Sequence, residues 1–348
     1  MGLFGNLFHN KKRAESVILI NIETESVTGA YARFVENETP ALLYTSHVSV
    51  ETRTGEQLER AILRALEILG NNLIKDGAPI LMNATGSGGS ETIFVSIDTP
   101  WQETTIHMEN FERERPFVFT KNMVSNALEK TSIIPPEKFL ADESIVGAIL
   151  NGYETHNPYG KKTHRASVVV LTSFIDTKFF ESIITALRSI FHTENISAIS
   201  GRSLRYQAIQ IVFPHERESI IIDVTEPSTS IAIIRKNLFS TLVEVPNSDT
   251  KNQSLIRTIT NEFTKLAKIH SLPRTIFLLA QESKISSLRQ MLISTNFDSF
   301  WFSNNPPKIV PVLAGHISGL VRQTIASPPD LQLLLMALHY QHSAFGER

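Results

Sequence analysis

The chain has no cysteine. That excludes a disulfide framework, thiolate metal sites and a cysteine nucleophile. No apolar run approaches the ~18 residues that a membrane-spanning helix needs. Neither sign of charge dominates: 33 Lys and Arg stand against 35 Asp and Glu, for a net charge of −2. No basic cluster with interleaved aromatics appears, so nucleic acid is not an expected partner. The Gly-rich segment Thr85–Ser90 lacks the Gly-Lys-Ser/Thr ending of a phosphate loop and reads as a surface loop. His339 and His342 lie three apart with no third ligand in view, so no metal site is expected and both read as surface histidines. His156 and His164 read as solvated, and Trp101 and Trp301 as core or edge aromatics. Asp98, Asp142 and Glu143 read as structural carboxylates with no paired base. What remains is an ordinary globular composition, 42% hydrophobic and 20% charged over 348 residues, which leaves room for two lobes.

The most informative stretch is Ser219–Phe239. The apolar run Ile220–Ile222 ends at Asp223, a polar turn with Pro227 follows, and Ser230–Arg235 returns apolar. Two β-branched runs around a short polar connection predict a hairpin. A carboxylate at the end of its first strand is placed where a nucleotide's metal or an attacking water could be held. Ser16–Phe34 repeats the plan: Val17–Ile22 apolar, a polar turn, then alternation from Val27 to Phe34. Two such hairpins, far apart in one chain, predict two related lobes facing each other.

The pair resembles the two phosphate hairpins of the actin-like ATPase superfamily, particularly its FtsA and PilM branch, in which each hairpin carries Asp-x-Gly followed by small or hydroxyl residues. The second hairpin keeps Asp223, with Thr225 at the glycine position and Ser228, Thr229 and Ser230 after it. The first has Asn21 for the aspartate and Glu23 for the glycine. The glycine run that ends the adenosine strand in the family is replaced by Ala280, Gln281, Glu282 and Ser283. The resemblance implies an α/β, actin-like (RNase H-like duplicated) two-lobed fold with a small α+β subdomain inserted in the first lobe.

The rest of the chain is read on that plan. Residues 1–13 form an amphipathic, basic tail, 14–115 the first part of the first lobe, 116–192 the insertion, 193–218 the return to the first lobe, and 219–348 the second lobe. Helical spacing predicts helices over Gly55–Asn72, Lys121–Lys130, Thr177–Phe191, Ser203–Phe213, Leu255–Ile269, Ser286–Ile293 and Pro329–Tyr340, the last packed on the second lobe. Strands are expected at Ala41–Val50, Pro79–Asn83, Thr92–Ile97, Phe139–Leu150, Arg165–Ser173, Thr275–Ala280, Asp298–Phe302 and Ile309–Val312. The turn Asn157-Pro158-Tyr159-Gly160, followed by Lys161 and a long strand, is similar to one in the FtsA/PilM insertion. Between Val245 and Thr275 there is room for one helix only, so the second lobe is trimmed, as in the cytoplasmic domain of the secretion protein GspL.

Glycine at a phosphate turn lets backbone N–H groups approach phosphate oxygens with no Cβ in the way. Here every expected glycine is replaced. A carboxylate such as that of Glu23, about 4 Å from a phosphate charge, costs about 4 kcal/mol at an effective dielectric near 20, roughly a thousandfold in affinity. Glu25 and Glu226 add negative charge nearby. The expectation is a degenerate nucleotide site at Asn21, Glu23, Asp223, Thr225, Ser228, Thr229, Ala280 and Gln281, with no cofactor, metal or catalytic residue. The alternative is an ATPase or ATP-dependent polymer that binds ATP with Mg and works through Asp223. The resemblance implies a cytoplasmic scaffold on an envelope machine, in type IV pilus assembly or cell division, gripping the cytoplasmic tail of a membrane protein. Oligomers are compatible with this plan. Met1, Leu3, Phe4, Leu7 and Phe8, followed by Lys11–Arg13, read either as a disordered leader or as a weak peripheral contact with the membrane.

Overall fold

The computed structural model describes residues 13–131, 135–155, 157–225, 227–247, 252–269, 271–295, 297, 300–301, 307–324 and 330–345. Residues 1–12 of the expected tail 1–13, together with His156 and Glu226, lie outside the described residues.

The first lobe opens with a meander of β1 (Ala14–Ile22), β2 (Ser26–Val35) and β3 (Ala41–Ser49). Helix α1 (Leu58–Asn72) runs through a π-helical turn at Leu73–Gly77 into α2 (Ala78–Thr85). The segment Pro79–Asn83, expected as a strand, is therefore helical. Pro79 sits in the first turn, where its missing N–H costs nothing, and Gly86 ends the helix at φ +80°. The apolar run misled because only Leu81 faces the core, while Ile80 and Met82 are exposed.

After β4 (Thr92–Ile97) the chain leaves the lobe. It builds a four-stranded antiparallel sheet from β5 (Gln102–Val118), β6 (Lys138–Leu150), β7 (Tyr153–Glu154) and β8 (Lys162–Asp176), in the order β5-β8-β6-β7, with helix α3 (Lys121–Thr131). The inserted sheet takes its first strand from upstream of residue 116. Helix α4 (Thr177–Phe191), capped by Asp176, whose carboxylate accepts from the Phe179 N–H at 3.0 Å, packs on the first lobe, with Ile190 against Gly70 of α1. Strand β9 (Asn195–Ser200) and helix α5 (Gly201–Val212) complete that lobe.

The second lobe repeats the pattern: a meander of β10 (Ser219–Thr225), β11 (Ser228–Arg235) and β12 (Leu238–Pro246), then α6 (Asn252–Ala267), β13 (Thr275–Ala280), α7 (Glu282–Ser294) and β14 (Lys308–Pro311). Strand orders are β3-β2-β1-β4-β9 in the first lobe and β12-β11-β10-β13-β14 in the second. In each lobe three antiparallel strands are followed by two parallel ones. The duplicated plan is thus present strand for strand. Between β12 and β13 the described residues hold α6 alone. Of the expected strand over Asp298–Phe302, only Phe300 and Trp301 are described, and neither is in a strand.

Central strands carry apolar side chains on both faces because both are covered. Ile18, Ile20 and Ile22 of β1 meet α1 and α4, and Ile220 and Ile222 of β10 meet α6 and α7. Val17 and Leu19 share one core with Ile221, Ala232 and Phe277 of the other lobe, bridged by Leu204 and Tyr206 of α5 and by Leu333–Leu338. Those leucines lie on α8 (Leu331–Phe345), which returns to the first lobe rather than staying on the second. The chain crosses back through β15 (Arg322–Gln323), which pairs with β3, and α8 sets Tyr340 against Phe34 and Phe94. His339, read as a surface residue, is instead buried and stacks on Phe94; burial lowers its pKa to about 4.

Candidate functional site

The pairing of β1 with β4 and of β10 with β13 brings the β1–β2 turn, the end of β4 and the β10–β11 hairpin to one cleft between the lobes. Helix α5 runs beside it. Its N-cap, Ser200, accepts from the Ser203 N–H at 3.3 Å, and Arg202 and Arg205, three residues apart, project from one face. Both arginines are fully buried. The Arg205 guanidinium donates through Nη1 and Nη2 to both carboxylate oxygens of Asp98, just past β4, at 2.6 and 2.8 Å. Its Nε donates to Asp223 Oδ2 at 2.8 Å and its Nη2 also reaches Thr225 Oγ1 at 3.1 Å. Arg202 donates through Nη2 to Ser228 Oγ at 3.0 Å and pairs through Nη1 with Glu244 Oε2 at 2.5 Å.

Every predicted site position has an internal role. Asp223 receives Arg205 and, through Oδ1, the Thr225 hydroxyl at 2.6 Å. Ser228 donates to Glu244 at 2.6 Å, Thr229 donates to Asn247 at 2.7 Å, and Ser230 bonds the Tyr206 hydroxyl at 2.5 Å. Asn21 is buried and donates its amide to Glu23 Oε1 at 3.0 Å. The Glu23 backbone N–H closes the hairpin on the Ser26 carbonyl at 2.9 Å and so is not turned toward a ligand. Ala280 ends β13. Gln281 takes the N-cap position of α7 and donates across the cleft mouth to Glu25 at 2.5 Å. The β1–β2 turn, the β10–β11 hairpin and the end of β13 thus lie close together.

The electrostatics centre on Arg205. Burial opposes its charge, but Asp223 and Asp98 more than offset this and hold its pKa well above the ordinary value. Glu23 is pushed up to about 7, first by burial and next by the Asp98 carboxylate, against the pull of Arg205 and the Asn21 amide. Burial also raises Asp330, which adds its charge from the segment ahead of α8. Because burial and Asp98 favour the neutral form of Glu23, the repulsion of phosphate rests less on it than the sequence indicated. The stronger obstacle is that the anion position at the start of α5 is already filled. A Cβ on Gly201 would lie 2.5–3.0 Å from the Asp98 carboxyl atoms, so this glycine admits the protein's own carboxylate where a helix N-terminus could otherwise receive a phosphate.

These residues do not fit a magnesium nucleotide: the one acidic group retained at a phosphate hairpin is spent on Arg205, and the hydroxyls after it are spent on neighbours. Among the described residues no cluster of three or more His, Cys, Asp and Glu is placed to hold a metal ion. No helix among them is long and apolar enough to cross a membrane. Sequence reasoning missed Arg202 and Arg205; Asp98 was read as structural, but without the cation that pairs with it. The available signal was Gly201-Arg-Ser-Leu-Arg, two arginines at helical spacing in a segment read as buried return helix.

No family model matches the chain, and no curated protein matches it in sequence. Among solved structures, a PilM–PilN type IV pilus biogenesis complex matches with a TM-score of 0.54 and 13% identity, covering 95% of this chain and 99% of that one. A Bacteroides thetaiotaomicron protein of unknown function with an actin-like ATPase fold matches at a TM-score of 0.47 and 10% identity over 96% and 98% of the chains. An Aquifex aeolicus PPX-GPPA enzyme matches at 0.40 and 10% identity over 96% and 93%. With its duplicated sheets and inserted four-stranded subdomain, the chain has an actin-like fold, similar to that of the solved PilM.

Proposed function

We propose that the chain is a non-catalytic, PilM-like scaffold, working at the cytoplasmic face of a membrane and holding the tail of a membrane protein. The observation that carries this reading is the pairing of Arg205 with both Asp98 and Asp223. An enzyme acting on a nucleotide needs a carboxylate free to take a metal or orient water; here the candidate carboxylate holds a buried guanidinium. The solved PilM was found with PilN, which supports a protein partner for the present chain and favours pilus assembly over cell division. The test is phosphate release from Mg-ATP by the purified protein. The scaffold reading expects the rate to equal that of buffer. Turnover above background that disappears in Asp223→Asn would overturn it.

A further inference from the structure

We propose that α5 is a permanent interlobe lock, its side chains holding the two lobes in one closed arrangement with no ligand between them. In a two-lobed protein whose cleft is bridged by a ligand, the angle between lobes follows occupancy of the cleft. Here the bridge is part of the chain. From three positions within two turns of α5, Arg202, Arg205 and Tyr206 reach three strands of the second lobe: Asp223 and Thr225 on β10, Ser228 and Ser230 on β11, and Glu244 on β12. Arg205 also ties the end of β4 in the first lobe through Asp98. The side chains of Arg202, Arg205 and Asp223 are at most 2% exposed, so opening would part Arg205 from Asp223, and Arg202 from the more exposed Glu244, and leave buried charges unpaired. Gln281 and Glu25 close the cleft mouth. On the far side Arg217 pairs with Glu154 of the inserted sheet, and Gly147 of that sheet makes room for Leu238 of β12. A partner would thus meet a single shape whatever the nucleotide level.

The inference rests on the scaffold reading, and one experiment separates the two. The absence of native cysteine allows spin labels at Glu67→Cys on α1 and Arg289→Cys on α7, both exposed and in different lobes. Pulsed electron resonance on the full chain should give one narrow interlobe distance, unchanged by Mg-ATP. In the charge-free variant Arg205→Met, Asp98→Asn, Asp223→Asn, the distribution should be about twofold broader, as expected once a hinge is released. Two distances in the unmodified core, a shift with Mg-ATP, or no broadening in the variant would each overturn the lock. If the variant does not fold, the distance in the unmodified core still decides. Calorimetric binding of ATP with an unchanged distance would leave the lock standing and remove the nucleotide-free reading. A broad distance without ATP binding would do the reverse.

Discussion

Replacing Arg205 with alanine removes one cation and strands two carboxylates, Asp98 and Asp223, that are almost completely inaccessible to water. Breaking a buried ion pair by deleting one partner typically costs about 3–5 kcal/mol, because the remaining charge is left in a low-dielectric site. Two carboxylates share the loss here, so the upper part of that range is expected. Against a total stability of about 5–15 kcal/mol, this is a large fraction. At about 2.1 cal/mol/K per residue over 348 residues, each kcal/mol moves the melting temperature by about 1.4 °C, so it should fall by roughly 6 °C. The variant Arg205→Met, Asp98→Asn, Asp223→Asn removes the charges together and keeps similar volume. It should lie within about 2 kcal/mol of the parent, since an ion pair replaced whole is often nearly neutral. Urea unfolding of the parent, the single variant and the triple variant reads this directly. A loss below about 1 kcal/mol in Arg205→Ala, or a triple variant no more stable than the single one, would refute the argument that the cleft is held by desolvated charge.

Glu23 has a folded-state pKa of about 7, above its ordinary 4.5, so the folded protein binds the extra proton and stability falls as pH rises between those values. His339 is lowered from 6.5 to about 4, so its contribution rises with pH over that interval and opposes Glu23. Glu23→Gln should therefore be more stable than the parent at about pH 8, by up to about 3 kcal/mol, and little changed at about pH 5, measured as urea midpoints. Gly201→Ala would place a Cβ 2.5–3.0 Å from the Asp98 carboxyl atoms, and a melting temperature lowered by the equivalent of about 1–3 kcal/mol is expected despite alanine's better helix propensity. Removing Met1–Lys12 should leave the melting temperature unchanged and reduce co-sedimentation with anionic but not neutral vesicles, since two lysines and five large apolar residues are lost.

The elements that the sequence disclosed were strands covered on both faces, which read as apolar runs, and helices covered on one, which read as apolar stripes. The runs at Val17–Ile22, Ile220–Ile222 and β13 are continuous, and α1 and α4 are amphipathic. Strand β5 went unread because most of its central side chains are exposed or half-exposed, and its charges break the alternation. Helix α8 is apolar on most sides, so its pattern gave no direction and its place on the first lobe could not be told from the second. The site was half legible. Loss of the glycines pointed to a degenerate cleft, but its replacement chemistry joins residues 98, 205 and 223. No spacing along the chain reports which cation meets which carboxylate across 107 positions.

In the scaffold reading Arg205 occupies the interlobe cleft in place of a nucleotide. A crystal structure of the full chain grown with millimolar Mg-ATP tests it most directly. Arg205 should remain bonded to Asp98 and Asp223 as in the ligand-free protein, with no density for phosphate or metal between the hairpins. A nucleotide in the cleft, with Arg205 swung away and a magnesium ion on Asp223, would contradict it.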